Sequence, residues 1–374
     1  MSLLQDHLFA TLRAALWQTP LQLTLTPEEA KDLLDEARQQ TVDGLVCGAL
    51  IDNNIALPKV EIARCLDTLQ RTAEANAHIN TEISRFAPYM ERKGFALAIV
   101  KGQSVGTCYP HPERRQSGDV DFFVRSDCFE PMRQLVEKQI GMPVKDHGGK
   151  HVNFEGEGVD YEMHRRLVDF CVARHQRYYD ALCEEDMRGP LKYVTLCGAQ
   201  VPTLPATGNA LFVFLHMFWH FIQGGVGLRQ LLDNAMLLHA WHAEIDAEAL
   251  RRHLKGVGME QAYRAFGHIY IQYLGLPATD FPYTLTRRDA RRGERIFRDV
   301  LRFGNFGRKM DGRYAWGSKA HTAHTASIVL RQSVKYHALA RAELTAAFPV
   351  LTLYKFRGQN GVPTDIFRRH KSKP

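Results

Sequence analysis

The sequence predicts an α+β protein in which a small mixed-sheet core is flanked by N-terminal and C-terminal helical regions. Three observations predict it. Apolar residues recur at helical spacing up to about residue 90, short apolar or alternating runs punctuated by glycine follow, and helical spacing returns after about residue 205. The chain divides accordingly into a helical region over 1–90, an α/β core over 91–205, a helical domain over 206–350 and a basic tail over 351–374.

Leu3, Leu4, Leu8, Leu12 and Leu16 mark the first helix. Thr26-Pro27-Glu28-Glu29 has the capping-box form, with Thr26 as N-cap and Pro27 at the first helical position, and starts a helix that runs to about Gln40. Val42 to Leu50 makes another, Asn53-Asn54 a turn, and Leu57 to Lys93 one or two more. At Gly94 the pattern changes: Phe95 to Val100 is a buried strand that stops at Lys101-Gly102, and Asp119 to Val124 is a second strand. Asp127 then caps a helix reaching roughly to Gln139. His151 to Glu155 and Val159 to His164 alternate as strands do, joined through Gly156 and Gly158 as a hairpin. Beyond Pro205 the helical segments are Asn209–Ile222, Leu228–Ala243, Asp246–Val257, Glu260–Tyr273, Arg287–Phe303 and His321–Ala347.

With 374 residues, 45% of them hydrophobic and 24% charged, the chain suits one large domain or two ordinary ones and excludes a disordered, collagen-like or coiled-coil protein. The longest apolar run, Ala210 to Ile222, carries two histidines and falls short of the roughly 18 residues that span a bilayer. The N-terminus lacks the basic start and small-residue cleavage site of a signal peptide, so the expected location is the cytoplasm, without a membrane partner. The seven cysteines are scattered and form no CxxC pair; they read mostly as small buried hydrophobes.

Side chains alternate along a strand, so Asp119 and Asp121 face one way while Val120 and Phe122 face the other. Two adjacent carboxylates repel each other and are costly to desolvate. A divalent cation, Mg²⁺ or Mn²⁺, removes that cost and is held by carboxylates together with the phosphates of a bound nucleotide. Asp160, Glu162 and His164 also share one strand face. If that strand lies beside the first, Glu162 completes a three-carboxylate metal set, with Asp160 as the alternative third acid. Such a set can hold two ions about 3.5–4 Å apart, one at the attacking oxygen and one at the leaving pyrophosphate. Gly102 after the first strand and Gly118 before the acids let backbone approach phosphate closely. Lys101, Ser104 and Arg115 are then candidate phosphate ligands, against ordinary loop polarity. His164 is a candidate orienting group or proton acceptor, against simple hydrogen bonding in the core. Ser117 and Cys108 have no His-acid partner at a persuasive spacing and are not nucleophile candidates.

The run Lys101-Gly102, then Arg115-Gln116-Ser117-Gly118-Asp119-Val120-Asp121-Phe122-Phe123-Val124, then Val159-Asp160-Tyr161-Glu162-Met163-His164 resembles the uncharacterised bacterial nucleotidyltransferase family of the DNA polymerase beta superfamily. That family also shows a helix with two histidines followed by an arginine and an aspartate; His216 and His220, then Arg229 and Asp233, are the matching residues. The resemblance spans roughly residues 30 to 245. It implies transfer of a nucleoside monophosphate from an NTP to an acceptor hydroxyl with release of pyrophosphate. Asp119, Asp121 and Glu162 would be the catalytic metal ligands, Arg229 would lie near phosphate or acceptor, and Asp233 would orient it. One departure is the spacing: the wider superfamily has Gly-Ser directly after the first strand, whereas here 14 residues separate Ser104 from Asp119.

His216 and His220 lie one helical turn apart, but a metalloprotease would need Glu after the first histidine and Met217 stands there. Two buried histidines satisfied by hydrogen bonds are the preferred reading over a zinc site. The net charge of +7 is regional: from Arg287 onward there are 20 Lys+Arg against 6 Asp+Glu, and 28 against 35 before it. Phe297, Phe303, Phe306, Tyr314 and Trp316 interleave with Arg298, Arg302, Arg308, Lys309 and Arg313, a pattern suited to RNA or a tRNA end as acceptor, or to the packing of an amphipathic helix. Two rivals accompany the enzymatic reading: a catalytically inactive nucleotide- or RNA-binding member of the fold, and a toxin-like enzyme that modifies tRNA.

Overall fold

The computed structural model describes residues 2–146, 150–304 and 319–356. Four helices lead: α1 (Leu3–Trp17), α2 (Pro27–Gln39), α3 (Asp43–Asp52) and α4 (Lys59–Arg92). The predicted capping box is formed, with Thr26 Oγ1 accepting from Glu29 N and Glu29 Oε2 accepting from Thr26 N at 2.8 Å. The one or two helices expected after Leu57 are a single 34-residue helix, α4, about 50 Å long. Pro88 lies inside its last turns, and the helix packs against three of the strands.

The strands are β1 (Leu97–Val100), β2 (Val120–Val124), β3 (Lys145–Asp146), β4 (His151–Gly156), β5 (Val159–His164), β6 (Lys192–Leu196) and β7 (Ala199–Thr203). They form one sheet in the order β3-β4-β5-β2-β1-β7-β6. The β5–β2 and β1–β7 pairs are parallel and the rest antiparallel, so the sheet is mixed as predicted. The β4–β5 hairpin closes through Glu157 and Gly158, both at positive φ (51° and 71°), which a two-residue hairpin turn needs. Parallel pairing of β2 with β5 sets Asp121 opposite Glu162. That register is enforced from the other face, where Val159, Tyr161 and Met163 are buried and Tyr161 stacks on Phe154 at 5.0 Å between ring centroids. A slip of one residue would expose these side chains, at about 1.5–3 kcal/mol each, and turn Glu162 away from Asp121.

Sequence patterning missed β3 and the β6–β7 hairpin. β6 mixes exposed and buried positions over only five residues, too short a run to rise above loop composition. Helix α5 (Gly102–Gly106) follows β1, and α6 (Ser126–Gln134) follows β2 and runs on as a π-turn over Leu135–Ile140. Asp127 does not cap α6 as expected: it lies in the first turn and is held by Arg125 Nε at 2.6 Å.

Helix α7 (Ala173–Arg188) lies between β5 and β6, and the remaining helices are α8 (Ala206–Gln223), α9 (Leu228–Ala240), α10 (Ala247–Gly256), α11 (Glu260–Gln272), α12 (Arg287–Phe303), α13 (Lys319–Tyr336) and α14 (Arg341–Phe356). Expected as one segment, His321–Ala347 is broken by a 3₁₀ turn over His337–Leu339 that folds α14 back on α13. The boundary expected at residue 351 falls inside α14, and the Arg368-Arg369 tail lies outside the described residues. Phe297 belongs to the core, stacked on Tyr273 at 3.7 Å and 16°. Phe306, Arg308, Lys309, Arg313, Tyr314 and Trp316 lie outside the described residues. Six of the seven cysteines are buried and Cys197 is exposed. Among the described residues no helix is long and apolar enough to cross a membrane.

Candidate active site

A cavity of about 340 Å³ lies where the ends of β1, β2 and β5 meet α8 and α9. The residue that opens it is Lys101, which leaves β1 with φ 57° and ψ −147°. A non-glycine residue held there carries a strain of about 1–3 kcal/mol, and the surroundings must over-determine it. Here the Lys101 carbonyl accepts from Ser104 Oγ at 2.8 Å and Ser104 N at 3.0 Å, while Gly102 continues at φ 37°. The result is a turn that points the Lys101 ammonium at Asp121 Oδ1, 2.7 Å away, with His216 Nε2 at 3.4 Å.

Asp121 is buried and also receives His164 Nε2 at 2.8 Å on the same oxygen. Glu162 lies 3.5 Å from His164 and accepts from Asn153 Nδ2 at 3.2 Å, with His151 at 3.9 Å. One ligand-type atom from each of Asp121, Glu162 and His164 lies within 4.8 Å of the others, a donor set of two carboxylates and an imidazole that fits a divalent cation. Asp119 lines the same cavity, on the side of the chain that strand alternation predicts, but stands outside that cluster, just before β2 begins. Asp160 is exposed at the hairpin end and does not line the cavity, which leaves Glu162 as the acid opposite Asp121.

A family model described as uncharacterised nucleotidyltransferase matches residues 26–275 of this chain. The chain belongs to that family. Among solved structures, an antigenic nucleotidyltransferase-like protein from Paracoccidioides brasiliensis is similar at 10% identity, over 55% of this chain and 97% of its own, with a TM-score of 0.33. No curated protein matches the chain.

In this nucleotidyltransferase the far wall of the cavity corrects two expectations. Arg229 and Asp233, four residues apart on α9, do not pair with each other. Asp233 instead takes the Arg115 guanidinium bidentately, at 2.7 and 2.8 Å, and the Tyr109 hydroxyl at 2.8 Å, all buried. Arg229 donates to the Gln116 carbonyl at 2.9 Å, and its buried Nε makes no hydrogen bond among the described residues. Arg115 and Arg229 thus both serve the loop that delivers Asp119, since Arg115 also reaches the Gln116 carbonyl at 3.4 Å. The second correction concerns Ser104: it is fully buried, its hydroxyl is committed to the Lys101 carbonyl, and it does not face the cavity. Gly118 does line the cavity, and a Cβ there would meet no atom of the described residues within 4 Å. The protein itself therefore does not require glycine at 118; the space it leaves is open to a ligand.

Electrostatics follow from this packing. Burial pushes the Glu162 carboxyl up, but the His164 imidazole, Lys101 and His151 outweigh it and hold the acid well below the ordinary carboxylate range. Asp119 moves the other way: desolvation by the cavity walls and then the Asp121 charge raise it, although the residue as a whole is solvent-exposed. Burial, and after it the Lys101 charge, push His216 far down and His220 to about 3, so both imidazoles are neutral. Burial would lower Arg115, yet Asp233 raises it overall; Arg229 is lowered by burial and then by the Arg115 charge.

Lys150 and His151 also line the cavity and were not anticipated. His151 had a readable signal, because the hairpin register places it opposite His164. Lys150 had none. His216 and His220 touch at 2.9 Å, hydrogen-bonded as expected but half-buried in the cavity wall rather than sealed in the core.

Proposed function

We propose that this enzyme is a divalent-metal-dependent nucleotidyltransferase that moves a nucleoside monophosphate from an NTP to an acceptor hydroxyl. The observation that carries the reading is the parallel register that sets Asp121 opposite Glu162 with Asp119 in the same cavity. Asp121, Glu162 and Asp119 are the proposed holders of Mg²⁺ or Mn²⁺, with His164 orienting Asp121. When bound, the metal would neutralise charge on the triphosphate and sharpen the nucleophilicity of the acceptor oxygen. Lys101 and Arg229 supply cations for the triphosphate, Arg229 through the Nε that has no protein partner. Gly118 leaves room for phosphate to approach the backbone. Arg115 and Asp233 hold the loop of Gln116 to Asp119 as positioning residues. In the transfer the acceptor oxygen forms a bond to the α-phosphorus, the bond from that phosphorus to the bridging oxygen of pyrophosphate breaks, and the acceptor proton passes to a carboxylate of the set.

Membership of the DNA polymerase beta superfamily, the division at about residues 90 and 205, and a cytoplasmic location belong to the same reading. RNA remains the first acceptor to screen, because the region from Arg287 onward carries a large excess of basic residues. The test is incubation of the full chain with each α-labelled NTP and Mg²⁺ or Mn²⁺, with RNA, protein and sugar acceptors. A metal-dependent labelled product, lost in Asp121→Asn, supports the reading. Absence of both product and metal-dependent NTP binding overturns it.

A further inference from the structure

A second cavity, of about 750 Å³, opens among the C-terminal helices and shares no lining residue with the catalytic one. Arg174, Lys255, Arg288, Arg292 and Arg341 line it, and among the described residues Glu260 is the one carboxylate in its wall. These five cations come from α7, α10, α12 and α14, so only the tertiary fold brings them together. No carboxylate is ion-paired with any of them among the described residues. Arg174 Nε points at His175 Nε2 at 3.3 Å, and Arg292 donates to Gln261 Oε1 and the Ala338 carbonyl, none of them a carboxylate.

The acids that stand nearby are already committed. Asp289 is taken by Arg264 at 2.8 Å and by the Thr286 cap. Glu343 accepts from the Cys171 and Val172 amides and from His175. The cluster therefore keeps a surplus of positive charge. Burial and then the Arg288 charge push the Arg292 guanidinium below its usual value, the direction expected where cations crowd one another. Four helix N-termini add to the field, because α7, α11, α12 and α14 each bring a first-turn residue to the wall and each N-terminus carries about half a positive charge, while the C-terminus of α10 at Lys255 and Gly256 offsets about one of them. Such a concentration of uncompensated charge is what anionic oxygens relieve. No Phe, Tyr or Trp lines the cavity among the described residues, so stacking on bases plays no part in what it recognises.

We propose that this cavity binds closely spaced phosphate groups, read by charge alone, at a site separate from the catalytic pocket. Two sources carry that chemistry: a free oligophosphate, or the phosphodiester backbone of single-stranded RNA. The proposal does not rest on the catalytic reading, and its test runs without NTP and in EDTA, so that failure of either leaves the other standing.

The experiment titrates the full chain with inorganic tripolyphosphate by calorimetry and with a fluorescein-labelled single-stranded RNA by anisotropy over a range of salt. It compares the wild type with R288E/R341E and with a matched charge reversal at two exposed cations elsewhere that likewise have no ion pair among the described residues, K59E/R92E. Arg288 and Arg341 are exposed and have no ion pair among the described residues, so their replacement leaves folding intact; R288Q/R341Q repeats the test should the reversal disturb a thermal melt. The expected result is at least a tenfold loss of affinity in R288E/R341E and less than threefold in the matched pair. A tenfold loss confined to tripolyphosphate assigns the site to an oligophosphate. The same loss with RNA, together with a salt slope shallower by about 1.4 for two lost phosphate contacts, assigns it to the nucleic-acid backbone. Equal weakening in both double variants, or failure of the wild type to saturate with either ligand, overturns the proposal.

Discussion

In the candidate active-site pocket Lys101 stands 2.7 Å from Asp121 and Arg115 grips Asp233 through two hydrogen bonds, whereas in the C-terminal cavity five cations face one carboxylate and none is ion-paired among the described residues. Both walls are rich in Lys and Arg, so composition does not separate them. Pairing does. A cation matched by a buried acid is part of the architecture, because removing its partner strands a charge in a poor solvent. An unmatched cation at an open wall contributes little to the fold and is available to a ligand. Arg229 sits between the two cases: it lines the candidate active-site pocket, is half-buried, and among the described residues its buried Nε has no hydrogen-bond partner.

The sharpest way to break this contrast is to remove an acid from the catalytic side. Asp121→Asn is expected to lower nucleotidyl transfer about a thousandfold or more, a barrier raised by about 4 kcal/mol, while circular dichroism shows an intact fold. A loss below tenfold would remove Asp121 from the catalytic set. Asp233→Asn leaves Arg115 charged and buried without its partner and is expected to cost about 3 kcal/mol in urea denaturation. A cost near zero would mean that the pocket is not balanced internally as its geometry indicates.

An acid without an ion pair among the described residues sharpens the rule from the opposite sign. Asp186 packs over Gly208, and burial, then the Glu185 charge, push its carboxyl up to about 7. An unfolded aspartate titrates near 3.9, so between about pH 4 and pH 7 the folded state binds more protons and stability falls as pH rises. Asp186→Asn removes that fall and is expected to gain about 2 kcal/mol relative to wild type at pH 8, with solvent screening allowed for, and nothing at pH 4. Equal melting behaviour of the two proteins at both pH values would refute the lone-charge account. The smallest effect belongs to the basic cavity, where Arg288→Gln is expected to change stability by no more than about 0.5 kcal/mol in the same denaturation assay. A larger loss would make Arg288 a structural residue.

Much of the candidate site's geometry was legible along the chain because its signals are local. The spacing of Asp119 and Asp121 on a strand, the glycine turn between His151 and His164, and the capping box at Thr26 each depend on a few consecutive residues whose geometry is set by sterics and hydrogen bonding. The partnership of Asp233 with Arg229 that the family resemblance implied does not form, and local spacing could not correct it. Spacing of four on a helix favours a pair, but the Arg115 loop crosses α9 and supplies a bidentate partner that local spacing does not reveal. Ser104 was misplaced for a related reason: the unusual backbone of Lys101 turns the hydroxyl inward, and no pattern of residue types announces a positive φ at lysine.

By itself the sequence determined the mixed α/β core between helical regions, the strand that carries Asp121 and the strand that carries Glu162, because alternation and helical periodicity are properties of neighbouring residues. Only the tertiary structure decided that these strands lie side by side in parallel, that Glu162 rather than Asp160 faces Asp121, and that Asp119 stands apart from the Asp121, Glu162 and His164 cluster. It also decided that Arg174, Lys255, Arg288, Arg292 and Arg341 share one wall. Those outcomes depend on the burial of Tyr161 and Met163 on the far face and on where separate helices begin, which are contacts between residues far apart in the chain.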